Sequence, residues 1–257
     1  MLVSGPGPCL PINRGKCSVS DNPVLLIGAT RATGLLAARV LQQREIPIRI
    51  LARNPAAARD AISQDVEIVS GDVTKKDTLV SAFHGVSHVV FTAGVRSGRF
   101  AREAVVKATE YDGILNTIAA ARFQDFCGRF VYMTSIGVTR RSMFASALNV
   151  WKGNTLRWRR RAEEAIRSSG LDYAVIRVAF LLNRPAHQRE IQVSQDASPL
   201  TFRECIARGD VAEALVEALF HPNTARTTFE IKWGKGPRRS NWAALFSGLK
   251  SDEPDGA

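Results

Sequence analysis

Short, mainly apolar runs alternate along the chain with longer segments whose apolar residues recur every three or four positions. Such runs are typical of strands buried on both faces of a parallel sheet, and such spacing is typical of amphipathic helices. The runs predicted to be strands are Val24–Ile27, Ile48–Ala52, Val66–Ser70, Val86–Thr92, Arg129–Thr134 and Tyr173–Val178. This alternation predicts an α/β fold with a doubly wound parallel sheet, which binds ligands at the carboxyl ends of its strands.

The helical pattern is clearest in four segments between these strands. They are residues 35–41, 79–83, 100–123 and 154–168. Gly170 follows the last of them as a C-cap would. Residues 182–198 are polar and show no clear periodicity. We therefore predict a loop there, over the substrate side of the sheet.

The length of 257 residues is enough to bury a full core without disulfides. We predict one domain over residues 23–249, with a small C-terminal extension on the substrate side that includes a loop at 182–209. Residues 1–22 are rich in Gly and Pro and are predicted to be a flexible tail. Residues 250–257 are predicted to be a second, acidic tail.

The distribution of apolar residues and cysteines indicates a cytoplasmic protein without a membrane partner. No apolar run approaches the roughly 18 residues that span a bilayer, and residues 1–22 lack the apolar core of a secretory signal. Cys9, Cys17, Cys127 and Cys205 show no paired metal-ligand spacing, so no metal is predicted. An organellar transit peptide is the alternative for the N-terminal segment.

The chain is strongly basic, with 35 Lys and Arg against 24 Asp and Glu and a net charge of +11. Such a charge raises nucleic acid as a partner. The densest cluster, Arg157 and residues 159–161 around Trp158, lies in a predicted helix that also contains Glu163 and Glu164. A solvated helix face is the favoured interpretation, and an anionic cofactor and a small-molecule substrate account for the remaining charge. Nucleic acid is therefore not predicted as a partner, and the oligomeric state stays open.

A glycine-flanked turn joins the first predicted strand to the first predicted helix. Gly28 permits the tight turn, and Gly34 permits close packing of the helix on the strand. Free N–H groups and the positive end of the helix dipole favour a pyrophosphate at this point. Arg31 replaces the middle glycine of the usual Gly-x-x-Gly-x-x-Gly pattern. The turn predicts a dinucleotide site of the Rossmann type.

The end of the second predicted strand indicates which dinucleotide binds. NAD-binding units usually place Asp or Glu there, about 20 residues beyond the glycines, to bind the ribose 2′-hydroxyl. Here the strand ends in Arg53, and a guanidinium can bind a 2′-phosphate through paired, charge-assisted hydrogen bonds. Arg31 can approach the same phosphate from the glycine turn. NADP(H) is therefore favoured over NAD(H), with two solvated surface arginines as the alternative.

Several short segments together resemble one protein family. They are Gly28–Gly34, Leu51–Pro55, Gly71–Val73, Tyr111–Asn116, Met133–Gly137, Glu163–Tyr173 and Gly209–Ala212. With these segments the chain resembles the atypical short-chain dehydrogenase/reductases, in particular the NAD(P)H-binding branch that includes NmrA-like proteins. The resemblance extends over about residues 23–249.

The resemblance implies a set of cofactor contacts at the strand ends. Asp72 and Val73 are expected beside the adenine, residues 92–94 beside the ribose and pyrophosphate, and residues 178–180 beside the nicotinamide. The full set of predicted cofactor-binding residues is Gly28, Ala29, Thr30, Arg31, Ala32, Thr33, Gly34, Arg53, Asp72, Val73, Thr92, Ala93, Gly94, Thr134, Arg159, Val178, Ala179 and Phe180.

The catalytic pair of the family is replaced in this chain. The family uses a Tyr that exchanges a proton with the substrate and a Lys, four residues later, that holds the ribose and lowers the pKa of the phenol. These positions correspond to Thr155 and Arg159. A threonine hydroxyl cannot replace the phenol, and arginine lacks the compact ammonium of lysine. Arg159 is expected at most to hold the ribose hydroxyls.

Three residues remain as candidates for catalysis. Ser135 follows the fifth predicted strand, where the family places a serine that orients the substrate. Lys152 lies just before a predicted helix and is a candidate acid or base. His187 lies in the predicted loop after the sixth strand, and histidine exchanges protons near neutral pH. An ordinary strand-end hydroxyl, a solvated lysine and an exposed histidine are the respective alternatives.

The sequence favours one function and leaves two others open. The favoured function is an NADP(H)-dependent oxidoreductase that transfers hydride to or from a small carbonyl or conjugated alkene without the usual Tyr/Lys pair. The first alternative is a non-catalytic NADP(H)-dependent sensor or partner-binding protein. The second is an isomerase or cyclase that binds the cofactor without net redox change.

Overall fold

The strands form one large, mostly parallel sheet and one small sheet. The computed structural model describes residues 22–62, 66–95, 101–140, 142–201, 203–238 and 240–252. Its strands are β1 (Val24–Ile27), β2 (Ile48–Ala52), β3 (Glu67–Ser70), β4 (His88–Phe91), β5 (Arg129–Ser135), β6 (Asp172–Val178), β7 (Phe180–Leu182), β8 (Ile191–Ser194), β9 (Cys205–Ala207) and β10 (Thr227–Trp233). The large sheet has the order β3-β2-β1-β4-β5-β6-β10-β8, and β7 pairs with β9. The predicted α/β fold of the Rossmann type is confirmed.

Helices cover both faces of the large sheet. They are α1 (Ala32–Gln43), α2 (Pro55–Ala61), α3 (Val80–Phe83), α4 (Glu103–Lys107), α5 (Gly113–Phe123), α6 (Met143–Trp151), α7 (Thr155–Arg167), α8 (Arg208–Phe220) and α9 (Trp242–Phe246). The first strand explains the two layers, since Leu26 packs with α1 and α8 while its neighbour Leu25 packs with α5 and α7. An uninterrupted apolar run is therefore what a strand between two cores requires. Within the described residues, no helix is long and apolar enough to cross a membrane.

The prediction of a loop over residues 182–198 is wrong in part. Ile191–Ser194 forms β8, which pairs antiparallel with β10 at the edge of the sheet. The first residue of β8 is buried and the second is exposed, so one face of the strand meets solvent. A short edge strand with mixed polarity carries too little periodicity to be recognised without its partner. Residues 180–182 and 205–207, at the two ends of the segment, form the small sheet.

The long helix predicted over residues 100–123 is helical but not uniform. Residues 96–100 lie outside the described residues, and α4 and α5 are joined by a π-helical turn at Ala108–Asp112. Insertions of this kind occur frequently at functional sites, because the extra residue redirects side chains. Here the turn contains Glu110, a buried carboxylate that faces α7.

The predicted acidic tail does not begin at residue 250. Asp252 accepts hydrogen bonds from Tyr173 Oη at 2.9 Å and from the backbone N of Thr228 at 3.0 Å. These contacts hold residues 250–252 against the start of β6 and β10, because an ionised carboxylate accepts from several donors at once. The remaining tail residues and the N-terminal segment 1–21 lie outside the described residues.

Gly34 is predicted to be intolerant of any side chain. A Cβ on Gly34 would lie 2.3 Å from the carbonyl oxygen of Gly28 and 2.5 Å from Thr92 Oγ1. We expect Gly34→Ala to lower the free energy of unfolding by about 1 to 3 kcal/mol through overpacking, as measured by urea denaturation. Gly248→Ala is the matched control, since no atom lies within 4 Å of a Cβ there. Equal stability of the two variants would show that α1 does not pack this closely on β1.

Candidate functional site: the cleft at the carboxyl ends of the strands

The glycine turn lies where the order of the sheet reverses. β1 has β2 on one side and β4 on the other, and ligands of doubly wound sheets bind in the crevice at such a point. Gly28 has a φ of +93°, and a Cβ there would lie 2.6 Å from the backbone N of Ala93. No side chain caps the N-terminus of α1, and its first turn has no acidic residue. The backbone thus forms a cradle with free N–H groups, which fits the pyrophosphate of a dinucleotide.

Arg53 and Arg31 lie at the same edge of the sheet. Ile27 pairs with Leu51, so the glycine turn after β1 and Arg53 after β2 leave the sheet side by side. Both arginines are exposed, and neither makes an ion pair with any residue that the structure describes. Asn54 then caps α2 by accepting from the backbone N of Ala57 at 3.2 Å. Two unpaired guanidiniums beside a helix N-terminus fit a phosphate at this position.

The loop after β3 holds the predicted adenine contacts in a fixed turn. Asp72 Oδ1 accepts from the backbone N and the hydroxyl of Thr74, both at 2.9 Å. The carbonyl of Val73 accepts from Asn116 Nδ2 at 2.9 Å, and its side chain is buried against Gly113. A hydrogen-bonded loop of this kind forms a preformed wall for a flat ring.

A cavity of about 310 Å³ lies beside this cradle, at the carboxyl ends of β5 and β6. It brings together two of the three catalytic candidates, since Ser135 and Lys152 both line it. Thr134 and residues 178–180, predicted to lie near the nicotinamide, also line the cavity, as does Arg159. Its size is at the lower end of the range for small-molecule sites.

Thr155 and Arg159, at the family's Tyr and Lys positions, are bound to a buried carboxylate. Arg159 Nε and Nη2 donate to the two oxygens of Glu110, each at 3.1 Å. Thr155 Oγ1 donates to Glu110 Oε2 at 2.5 Å, and the backbone N of Val95 donates to Oε1 at 3.3 Å. Paired hydrogen bonds between a guanidinium and a carboxylate are both strong and geometrically specific. Thr155, Arg159 and Glu110 therefore form one polar wall of the cavity, in which the charges of Arg159 and Glu110 neutralise each other.

Burial and the charges of this wall together explain two large shifts of pKa near the cavity. Burial lowers the pKa of Arg159, but the carboxylate of Glu110, together with Tyr132 and Glu163, more than offsets burial, so the pKa lies above its usual value. Burial also raises the pKa of Tyr132, a fully buried residue of β5 below the wall. The phenol of Tyr132 therefore stays protonated and enclosed. It does not replace the missing tyrosine of the family.

His187 lies away from the cavity. Its Nε2 is 2.5 Å from Glu213 Oε1, and its Nδ1 is 2.6 Å from Arg238 Nη1. Its backbone N donates to Asp210 Oδ1 at 2.9 Å, which fixes the loop onto α8. The structure thus separates His187 from Ser135 and Lys152. This position does not support the predicted catalytic role of His187.

Arg208, the first residue of α8, was not identified from the sequence. It lines the cavity, and its Nη1 donates to Thr33 Oγ1 of the glycine turn at 3.4 Å. Its Nε donates to Asn183 Oδ1 at 2.8 Å, and no carboxylate of the described residues pairs with it. Partial burial lowers the pKa of its guanidinium. The signal was its place directly before Gly209–Ala212, one of the family segments.

Glu110 was also not identified from the sequence. A glutamate inside a long predicted helix is usually solvated, and only the π-helical turn directs this one inward. Among the residues that the structure describes, no group of three or more His, Cys, Asp or Glu side chains is arranged to hold a metal ion.

Comparison with known proteins gives one family and several relatives. The model of an NAD(P)H-binding family matches residues 28–222. Sanguinarine reductase of Eschscholzia californica is 29% identical, over 87% of this chain and 94% of that protein. NAD(P)H azoreductase of Xenophilus azovorans is 25% identical, over 89% of this chain and 73% of that protein. Among solved structures, the oxidoreductase ylbE of Lactococcus lactis has a TM-score of 0.73 at 17% identity, covering 88% of this chain and 96% of that chain, which supports the fold alone.

The bond between Arg159 and Glu110 generates a prediction about stability. Arg159→Met leaves a buried carboxylate without its counter-charge, and we expect the free energy of unfolding to fall by about 3 to 5 kcal/mol. Urea denaturation measures the loss. The double variant Arg159→Met/Glu110→Gln removes the charge as well and is expected to recover part of the stability. A single variant as stable as the native chain would contradict a structural role for the pair.

Proposed function

The chain belongs to an NAD(P)H-binding oxidoreductase family, as its sequence segments predicted. On this premise we propose that it is an NADPH-dependent reductase of a small carbonyl or conjugated alkene. The observation that carries the proposal is the cavity of about 310 Å³ beside the glycine cradle, which both Ser135 and Lys152 line. Two relatives named as reductases, one of them an NAD(P)H azoreductase, support the same class of reaction.

The charges around the cradle support NADPH rather than NADH. In this proposal the N-terminus of α1 holds the pyrophosphate, and Arg53 with Arg31 holds the 2′-phosphate. Arg208 extends from the opposite side of the cleft to the glycine turn and has no carboxylate partner among the described residues. Its guanidinium is therefore available to a phosphate oxygen of the cofactor. When bound, the cofactor supplies a hydride.

The cavity walls support a small, partly apolar substrate. The lining combines the apolar residues Leu148, Phe180 and Leu200 with the polar wall of Glu110 and Arg159. Because the polar wall is internally paired, its charges are neutralised before any substrate enters. Such a site excludes water from a flat, conjugated molecule and leaves few groups to bind its polar end.

Lys152 is the proposed proton donor. It follows α6 and lines the cavity, and its side chain makes no ion pair with the residues that the structure describes. Its ammonium carries three donors and can stabilise and then protonate a developing oxyanion. Ser135 lines the same cavity and is proposed to orient the oxygen, with its hydroxyl now donating to the carbonyl of Ile136 at 3.1 Å. No tyrosine is needed in this arrangement.

A second function is favoured by the outer surface of α6. Met143 and Val150 are 93% and 82% exposed, although Leu148 on the same helix lines the cavity. An exposed apolar surface next to the cofactor cleft is what a protein that senses the cofactor and binds a partner requires. The reductase is preferred because Lys152 and Ser135 lie inside the cavity. A protein that binds NADPH tightly but reduces no acceptor would favour the sensor.

Arg53→Ala tests the choice of cofactor. We expect the variant to bind NADPH about 10- to 150-fold more weakly, as the loss of a charge-assisted bond of 1.5–3 kcal/mol implies, with little change for NADH. Calorimetric titration of both cofactors measures the effect. Arg59→Ala, on the exposed side of α2, is the control for the loss of one charge. Equal native affinities for NADPH and NADH would contradict the assignment.

Lys152→Met tests the reaction and the proton donor together. NADPH oxidation is followed with a panel of aldehydes, ketones, quinones and enones, and products are identified by mass. With the best acceptor, we expect the variant to lower kcat by about 100- to 10,000-fold without changing the affinity for NADPH. Ser135→Ala is expected to affect KM more than kcat. If Lys152→Met is as active as the native chain, water or another group donates the proton.

A further inference from the structure

A second, larger cavity lies against a different face of α6. Its volume is about 610 Å³, and Ala145, Ser146 and Asn149 of α6 line it. Leu148 of the same helix, and Lys152, which directly follows it, line the cavity described above. The two cavities use different faces of α6 and adjoin at Leu156, which lines both, but neither Ser135 nor Lys152 lines the larger one.

The larger cavity is lined by a concentration of positive charge. Arg140 follows β5, and Arg157, Arg160 and Arg161 come from the first two turns of α7. Glu164 is the one acidic residue among the described residues of the lining, and it pairs with Arg160 at 3.0 Å. Three of the four arginines therefore remain without a carboxylate partner in the described part of the chain.

The positions of these arginines cost stability unless an anion joins them. Residues three or four apart on a helix are neighbours, and like charges at that spacing destabilise the helix. Arg157 has Arg160 and Arg161 at these two spacings. The guanidiniums of Arg157 and Arg161 both lie over the ring of Trp158, at 5.6 and 5.2 Å from its centroid. Trp158 is buried, so its ring gives these two guanidiniums a fixed surface to pack on.

Other features of the lining fit an anion as well. The N-cap residue of α7, Asn154, makes no side-chain cap, and the first turn has no acidic residue, although Asn149 Oδ1 accepts from the backbone N of Leu156 at 2.9 Å. The positive end of α7 therefore adds to the field of the arginines. Neutral polar residues, including Ser146, Asn149 and Asn154, complete the lining. Such groups add hydrogen-bond donors without adding negative charge.

We propose that this cavity binds a small anion with two or more phosphate groups, at a site distinct from the cofactor cleft. The occupant must be multivalent, because several guanidiniums face a single concavity and each favours its own phosphate oxygens. A small ligand fits better than nucleic acid, because the charge surrounds a cavity within the usual size range for small-molecule sites rather than an extended surface. The proposal does not depend on the reductase activity.

Titration calorimetry with inorganic tripolyphosphate tests the site. The full chain is titrated with NADPH present in excess, so that the phosphate sites of the cofactor are filled, and again without NADPH. We expect one tripolyphosphate to bind per chain in both cases. The double variant Arg157→Gln/Arg161→Gln is expected to raise Kd at least about tenfold. This double variant leaves no carboxylate of the described residues without its partner, whereas a change at Arg160 would remove the ion-pair partner of Glu164.

Arg39→Gln/Arg59→Gln is the matched control, because it removes two exposed arginines from α1 and α2 and changes the net charge equally. An unchanged Kd in this control supports the cavity. Equal weakening in both double variants would indicate diffuse attraction and overturn the proposal, as would binding that disappears when NADPH is present. Absence of tripolyphosphate binding, with a short DNA duplex bound through Arg157 and Arg161 instead, would reassign the arginines to nucleic acid.

Discussion

The close approach of backbone at the start of α1 is the constraint on which the site depends. A side chain at Gly34 would overlap the carbonyl of Gly28, and one at Gly28 would overlap the backbone of Ala93. β1, β4 and α1 can meet this closely only where Cβ atoms are absent. Their contact creates the cradle at the point where the sheet order reverses, and it sets the distance from that cradle to the cavity beside β5 and β6.

The buried pair of Glu110 and Arg159 determines what chemistry this cleft can perform. Arg159 donates to Glu110 through both Nε and Nη2, and Thr155 donates to the same carboxylate. The positions that carry the Tyr and Lys in related enzymes therefore have a structural role here. Proton transfer must then come from elsewhere in the cavity. Lys152, which directly follows α6, is the one lysine among the described residues of the lining. The reductase proposal therefore rests on a relocated proton donor rather than on the usual pair.

The sequence predicted the local units of the fold and missed those that depend on distant partners. The strand, turn and helix from Val24 to Gln43 were recognised because the apolar run, the glycines and the helical spacing are all local features of the sequence. Strand β8 was missed because its stability comes from pairing with β10, and α6 was missed because its exposed apolar residues leave no polar face for the pattern to show. In the site, Ser135 and Lys152 do line one cavity, whereas Glu110 required a π-helical turn and Arg208 required α8 to pack beside the glycine turn.

The central claim is that hydride leaves NADPH in this cleft and reaches a substrate in the adjoining cavity. The most direct test uses NADPH labelled with deuterium separately at each of the two hydrogens of nicotinamide C4, with the best acceptor and mass analysis of the product. The account predicts deuterium in the product from one of the two labelled forms and not from the other, because the cleft fixes one face of the ring toward the cavity. A reduced product without deuterium from either form, or with equal deuterium from both, would contradict it.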